Sequence, residues 1–183
     1  MRIISGKHKS KRLIAPKNLP VRPTTDMAKE SLFNILNNWY YFHELKVLDL
    51  FAGTGNISYE FASRGTTEIL AVDQHNACLR FINDTAKQLE LPIDTVKADV
   101  FSFLEKHVGT YDVVFADPPY DFTEEQFSKI PALVFQQQLL SNKGTLIVEH
   151  SEYTDLSALP YFTQSKRYGG CHFSFFEVVE EDN

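Results

Sequence analysis

Two hydrophobic periods share this chain. From about Thr24, Leu32, Ile35, Leu36, Trp39 and Tyr40 recur at i, i+3, i+4, i+7 and i+8, which predicts a helix over 24–40 with one apolar face. Asp26 and Glu30 sit near its positive N-terminus. Short β-branched runs then alternate with helical patterns. Strands are expected at 46–51, 68–73, 94–98, 111–116 and 143–149, and helices at 56–64, 75–89, 100–107 and 123–138. Repeated β-α units imply a parallel sheet with right-handed crossovers and helices on both faces. The end differs: Tyr161-Phe162 through Tyr168 and Cys171 to Val179 flank Gly169-Gly170, a hairpin signal. The expected fold is therefore α/β, a mostly parallel seven-stranded sheet closed by an antiparallel C-terminal hairpin.

Ahead of the helix, Arg2-Ile3-Ile4-Ser5-Gly6 and Lys11-Arg12-Leu13-Ile14 are β-like and can pair as a hairpin. Pro16, Pro20 and Pro23 punctuate the connection from there to the helix. Residues 1–23 are thus expected to form a basic arm, and 24–183 the main domain, with the 24–40 helix docking one on the other. Glu177 to Asn183 reads as a short acidic, frayed end.

Charge sharpens this division. Residues 1–22 carry Arg2, Lys7, Lys9, Lys11, Arg12, Lys17 and Arg22 and no acid. The whole chain of 183 residues has a net charge of −6, so those seven cations leave −13 for the rest. A basic arm on an acidic body suits either a local phosphate-binding patch or a solubilising N-terminus. Overall acidity does not forbid a nucleic-acid partner, because screening confines surface fields to about 8 Å. No apolar run approaches the roughly 20 residues that span a bilayer, and the basic start lacks a signal peptide's apolar core. A cytoplasmic protein without a membrane partner is expected. Cys78 and Cys171 have no CxxC spacing and the six histidines are scattered, so the cysteines are expected reduced and no metal site is expected.

Candidate chemistry gathers where strands end. Asp117-Pro118-Pro119-Tyr120 follows the apolar run 111–116. Two prolines stop the strand and remove donors, leaving free carbonyls beside a carboxylate and a ring. Acceptors plus a flat face suit a planar group bearing N–H donors, such as a nucleobase with an exocyclic amine. An ordinary strand-ending turn is the plain alternative. Gly53 and Gly55 follow the first strand, where a ligand can approach backbone N–H groups. GxGxxG is absent, since Ser58 stands three after Gly55, and Asp49 would repel a pyrophosphate. A carboxylate there suits an ammonium or sulfonium, which argues for S-adenosylmethionine over a nicotinamide dinucleotide. Asp73 ends the next strand, placed for ribose hydroxyls, and Asp99 the one after, placed for an adenine amine. Either acid can instead be a helix cap. Asp49, Phe51, Gly53, Gly55, Asn56, Asp73, Asp99 and Val100 form the candidate cofactor set.

Asp-x-Phe-x-Gly-x-Gly at 49–55 with Asp-Pro-Pro-Tyr at 117–120 resembles an amino-group methyltransferase of the Rossmann-like class. Arg22-Pro23-Thr24-Thr25-Asp26, Lys29-Glu30, Leu32-Phe33-Asn34 and Ser63-Arg64-Gly65 resemble the RsmD family of 16S ribosomal RNA guanine-N2 methyltransferases. The opening Met1-Arg2-Ile3-Ile4-Ser5-Gly6-Lys7 is also similar to that family's start, so the likeness spans nearly the whole chain. It departs at Ile57-Ser58-Tyr59, where the family usually has Leu-Gly-Ile. The resemblance implies S-adenosylmethionine as cofactor and ribosomal RNA or the small ribosomal subunit as partner. It implies Asp117, Pro118, Pro119 and Tyr120 as the catalytic group, and a monomer is expected. Lys7, Lys9, Lys11, Arg12, Arg22 and Thr24 would hold the RNA, and Cys78, expected mid-helix, has no role as a nucleophile.

Asp-Pro-Pro-Tyr also serves an adenine N6 amine, so an N6-adenine methyltransferase on DNA or RNA is the nearest alternative. Against a DNA enzyme, the chain is short for a separate target-recognition domain. A protein glutamine methyltransferase usually begins its motif with Asn. A non-catalytic RNA-binding module would not need Asp49, Gly53, Gly55, Asp73 and Asp117 intact.

Overall fold

The computed structural model describes residues 1–22 and 24–179; Pro23 and residues 180–183, where much of the expected acidic end falls, lie outside the described residues. Helix α1 (Asp26–Trp39) starts where the Thr25 side chain accepts from the Ala28 N–H, with Asp26 in the first turn. Strands β1 (Lys46–Leu50), β2 (Glu68–Asp73), β3 (Ile93–Lys97) and β4 (Tyr111–Ala116) alternate with α2 (Asn56–Ser63), α3 (Asn76–Leu89) and α4 (Val100–Lys106). Helix α5 (Glu124–Gln136) opens on a reciprocal capping box between Thr123 and Gln126. Strands β5 (Leu140–Ser151), β6 (Phe162–Tyr168) and β7 (Cys171–Phe176) complete the chain. Every expected strand and helix is present, with β5 longer at both ends than its apolar run.

One sheet runs β3-β2-β1-β4-β5-β7-β6, parallel through β5 and antiparallel at β7 and β6. The order turns at β1 and β4, whose neighbouring carboxyl ends open the crevice where such sheets bind ligands. Buried on both faces, β1 and β4 carry apolar residues at successive positions, Val47-Leu48 and Val113-Val114-Phe115-Ala116. Successive side chains feed opposite cores. Val47, Phe115 and Phe173 join Phe33 and Phe61 on one face, while Leu48, Val114 and Phe176 join Phe127 and Leu146 on the other.

The arm is docked. Ile3 N–H donates to Lys11 O at 2.9 Å and Leu13 N–H to Met1 O at 3.0 Å, with Arg2 and Arg12 bridged in antiparallel fashion. The hairpin is therefore one bridge long, and its Ile3 and Leu13 side chains enter the first core. At Gly6, φ is +85° and a Cβ would lie 1.9 Å from the Ser63 carbonyl oxygen, so only glycine allows the arm to sit against α2.

Two details of α1 differ from the periodicity. Its buried face is Ala28, Lys29, Leu32, Phe33 and Leu36, whereas Trp39 is 40% exposed. Lys29 is wholly buried because its ammonium meets Arg2 O at 2.6 Å, Asn56 Oδ1 at 2.8 Å and Glu60 Oε2 at 3.3 Å. Glu60 in turn accepts from the Ile4 and Ser5 N–H groups and from Arg64 Nε. This buried pair ties arm, α1 and α2 together. Burial pulls the Lys29 ammonium down, and Glu60 holds it up. Among the described residues, no helix is long and apolar enough to cross a membrane.

Candidate active site

Four parallel strands end on one pocket of about 530 Å³. From the expected cofactor set, Asp49, Phe51, Gly53, Asn56, Asp73, Asp99 and Val100 line it; Gly55 stands in the same turn without reaching the wall. All four residues of Asp117-Pro118-Pro119-Tyr120 line it as well. Of the expected RNA-binding residues, only Arg22 and Thr24 do. Lys7, Lys9, Lys11 and Arg12 are exposed elsewhere. Lys7 N–H donates to Ser63 O, at the far end of α2 from the pocket, a displacement of about 10 Å along that helix.

The turn after β1 is built by charge and by missing side chains. Gly55 has φ of +81°, and a Cβ there would approach Tyr59 Cζ at 2.8 Å. Asp73 Oδ2 accepts the Gly53 N–H at 2.9 Å, while Oδ1 accepts the His75 N–H at 2.9 Å and faces its Nδ1 at 3.1 Å. The strand-end acid thus shapes the glycine turn from the neighbouring strand, with lone pairs left over for hydroxyl donors. Asp99 caps α4 by accepting the Ser102 N–H at 3.0 Å, so the capping role and the pocket position coexist. Asn56 is committed to packing: it accepts from Lys29 and donates to Thr24 O at 3.3 Å.

Asp49 is 2% exposed, and Ser58 Oγ donates to its Oδ2 at 2.6 Å. Burial pushes the Asp49 carboxyl up to about 7; the Ser58 hydroxyl holds it down and the Asp73 charge raises it. A carboxylate so poorly solvated gains most from a bound cation. Ser58, where the resemblance has glycine, therefore fills its space with a donor aimed at the one acid best placed for a cationic ligand. Phe101 and Phe122 stack with centroids 5.9 Å apart, and Phe51 meets Phe122 edge-on at 5.7 Å, forming an aromatic wall. Of these three, only Phe51 was legible as a site residue.

The other end of the pocket depends on a residue that sequence reasoning missed. Glu149, at the carboxyl end of β5, is 1% exposed. Its Oε2 accepts from Thr24 Oγ1 at 2.6 Å, and its Oε1 meets Arg22 Nη2 at 3.4 Å and Tyr120 Oη at 3.3 Å. The Arg22 guanidinium lies over the Tyr120 ring, 3.4 Å from its centroid. Asp117 and Glu149 each follow a paired position, Ala116 opposite Val148, so two carboxylates stand side by side. Burial raises Asp117 well above the usual carboxylate range; the Glu149 charge raises it further and Arg22 opposes both. Burial also raises Glu149, against the Thr24 hydroxyl and Arg22. The signal for Glu149 was the same as for the others, an acid ending the apolar run Leu146-Ile147-Val148.

Cys78 lies in the first turn of α3, not mid-helix, three positions into a helix that both the sequence pattern and the structure start at 75–76. Its sulfur comes within 4.8 Å of ligand-type atoms of Asp73 and His75. Burial pushes the thiol up to about 11, which disfavours the thiolate a metal or a nucleophilic role needs. Both cysteines are free.

A family model described as Conserved hypothetical protein 95 matches residues 1–177. The chain belongs to this family. A Bacillus subtilis relative named Putative rRNA methyltransferase YlbH is 33% identical over 165 residues, covering 85% of this chain and 85% of that protein. Ribosomal RNA small subunit methyltransferase D of Buchnera aphidicola subsp. Baizongia pistaciae is 27% identical over 186 residues, covering 98% of this chain and 92% of that one. Among solved structures, a putative methyltransferase yhhF from Escherichia coli aligns with a TM-score of 0.83 at 26% identity, covering 96% of each chain. The RsmD resemblance read from 22–26, 29–30, 32–34 and 63–65 agrees with the name of the Buchnera relative.

Proposed function

We propose that the protein transfers a methyl group from S-adenosylmethionine to the exocyclic N2 amine of a guanine in small-subunit ribosomal RNA, acting as a cytoplasmic monomer. The observation that carries this reading is one pocket holding both Asp49 with its glycine turn and Asp117 with Pro118, Pro119 and Tyr120. The names of its relatives supply the RNA class.

The residues fit the cofactor. Asp49 is a buried carboxyl facing the pocket, and its ionised form suits the ammonium or sulfonium end. Gly53 lines the pocket, and because a Cβ at Gly55 would collide with Tyr59 and Ile82, glycine there lets the turn fold tightly beside it. Asp73 and Asp99 retain acceptor capacity for ribose hydroxyls and the adenine amine, and Val100, Phe101 and Phe122 offer an apolar surface for a flat ring. When bound, the cofactor supplies an electrophilic methyl group on a cationic sulfur.

The chain's own residues then act on the amine. A guanine N2 is a poor nucleophile because its lone pair is delocalised into the ring. The Asp117 carboxylate and the Pro118 carbonyl accept its two N–H bonds, turning the nitrogen lone pair toward the methyl group. As nitrogen becomes cationic, those acceptors stabilise the charge. The proton released on N–C bond formation passes to the Asp117 carboxylate, whose raised pKa suits it as an acceptor. The basic arm meets phosphates, which position without specifying sequence, and the base leaves its stack to reach the pocket.

The test is transfer of labelled methyl to small ribosomal subunits, free ribosomal RNA and DNA, with nucleoside analysis of the product. N2-methylguanine in RNA is expected. Methyladenine would keep the mechanism and replace the substrate; no transfer with cofactor bound would refute the enzyme reading.

A further inference from the structure

The Arg22–Tyr120–Glu149 cluster is more than packing. Guanidinium and guanine share a chemical unit: in both, a planar carbon bears nitrogens whose N–H bonds point outward in one plane. In guanine that unit is N1–C2–N2, the edge that carries the reacting amine. Here the Arg22 guanidinium carbon lies over the aromatic ring of the Asp-Pro-Pro-Tyr turn, 3.4 Å from its centroid, and Nη2 is directed at a buried carboxylate. A stacked guanine donating to the same acid would satisfy the same groups.

We infer that Arg22 occupies the seat of the target base in the substrate-free protein, and that Glu149 reads the guanine edge once Arg22 has left. The inference rests on the guanine reading proposed above and adds a specificity residue to it.

Three observations support the exchange. First, Glu149 is held unevenly. Its Oε2 has a short bond from Thr24 at 2.6 Å, which fixes the carboxylate, whereas Oε1 has only contacts of 3.3 and 3.4 Å. Oxygen Oε1 is thus positioned yet weakly engaged, and a neutral N1–H can replace the guanidinium there. Second, the Arg22 side chain is 56% exposed while Glu149 is buried, so Arg22 can swing into solvent without disturbing the core. Third, a guanidinium beside the pocket opposes both a sulfonium and the charge that grows on the amine, so the chemistry favours its departure. Once outside, Arg22 is free to meet a phosphate of the extruded nucleotide, which gives the expected RNA contact a second stage.

Discrimination follows from donor patterns. Guanine presents N1–H next to N2–H, so Glu149 can accept the first while Asp117 and Pro118 accept the second. Adenine presents a bare N1 lone pair next to its N6 amine, and Glu149 would repel it.

The experiment measures guanosine and adenosine binding by calorimetry in saturating S-adenosylhomocysteine, because nucleosides carry no phosphate for Arg22 to meet. Wild type, Arg22→Ala, Glu149→Gln and the double variant are compared. Removing the stand-in is expected to tighten guanosine by about tenfold, the lower range for one base-edge contact, and to leave adenosine unchanged. Glu149→Gln in the Arg22→Ala background should erase that gain. Weaker or unchanged guanosine binding in Arg22→Ala, equal gains for both nucleosides, or no detectable guanosine binding would each overturn the inference. Should Glu149→Gln fail to fold, the ratio of guanosine to adenosine in Arg22→Ala still decides. Product analysis keeps the two readings apart: methyladenine in RNA defeats the guanine assignment, whereas N2-methylguanine with unaltered guanosine binding defeats only the exchange.

Discussion

The two ends of the pocket are built differently. At the cofactor end, most of the acids are met from nearby in the chain: Asp49 by Ser58 nine residues on, Asp73 by His75 two on and by Gly53 twenty back, while Asp99 caps its own helix. At the base end, Glu149 is met by Arg22 and Thr24 across 127 and 125 residues, and by Tyr120 across 29. The first half is built mainly from contacts within adjacent β-α units. The second exists only after the arm has docked, so its geometry depends on the Lys29–Glu60 pair that fastens arm to body.

That dependence can be broken. Glu60→Ala leaves the Lys29 ammonium buried without its anion, and should cost about 3–5 kcal/mol. Thermal unfolding should show a large drop, with RNA binding weakened more than cofactor binding; an unchanged midpoint would mean that the arm docks without the pair. Within the site, Asp117→Ala should raise the methyl-transfer barrier by about 2.7–4 kcal/mol, the scale for removing one group that stabilises developing charge. Single-turnover rates would fall accordingly while cofactor affinity holds; loss of both would place Asp117 in cofactor binding instead.

The cofactor half is expected to answer to pH. A cationic ligand binds the ionised Asp49, so affinity should be full above about 7 and weaken as pH falls through it. Ser58→Ala removes a donor that favours the ionised form and should move that midpoint upward, as read from Kd against pH. In the free protein the sign reverses. Because the folded carboxyl binds its proton more tightly than the unfolded one, Asp49 contributes stability at low pH that is lost as pH rises through about 7. The smallest effect should come from Lys7→Ala with Lys9→Ala: slightly weaker RNA binding and a salt slope shallower by roughly 0.7–0.9 per contact removed. An unchanged slope would show that those lysines do not meet phosphate.

The same contrast explains what the sequence disclosed. Strands, helices, the terminal hairpin and the 49–55 and 117–120 turns follow from local period and turn chemistry, so they could be read directly. Phe101 and Phe122 were passed over because an aromatic in an apolar face looks like core until two such faces meet. Lys29 carried a warning: with Leu32, Phe33 and Leu36 it occupies i, i+3, i+4 and i+7, a charge on an apolar stripe that requires a buried partner. Its partner Glu60 is 31 positions away, and no local rule joins them. The stacking of Arg22 on Tyr120 is likewise a product of tertiary approach; only the acid at the end of β5 could have pointed to it.

The place of β7 bears on how the molecule comes into being. This strand is made last of the seven, yet it lies between β5 and β6 and sends Phe173 and Phe175 into one core and Phe176 into the other. During synthesis, β5 must therefore wait with an open edge, and β6 has no neighbour to join. The sheet closes only when residues 171–176 emerge, so a nascent chain halted before them carries every residue of the pocket without the wall behind it. Completion of the sheet beside the site therefore waits for its seventh strand.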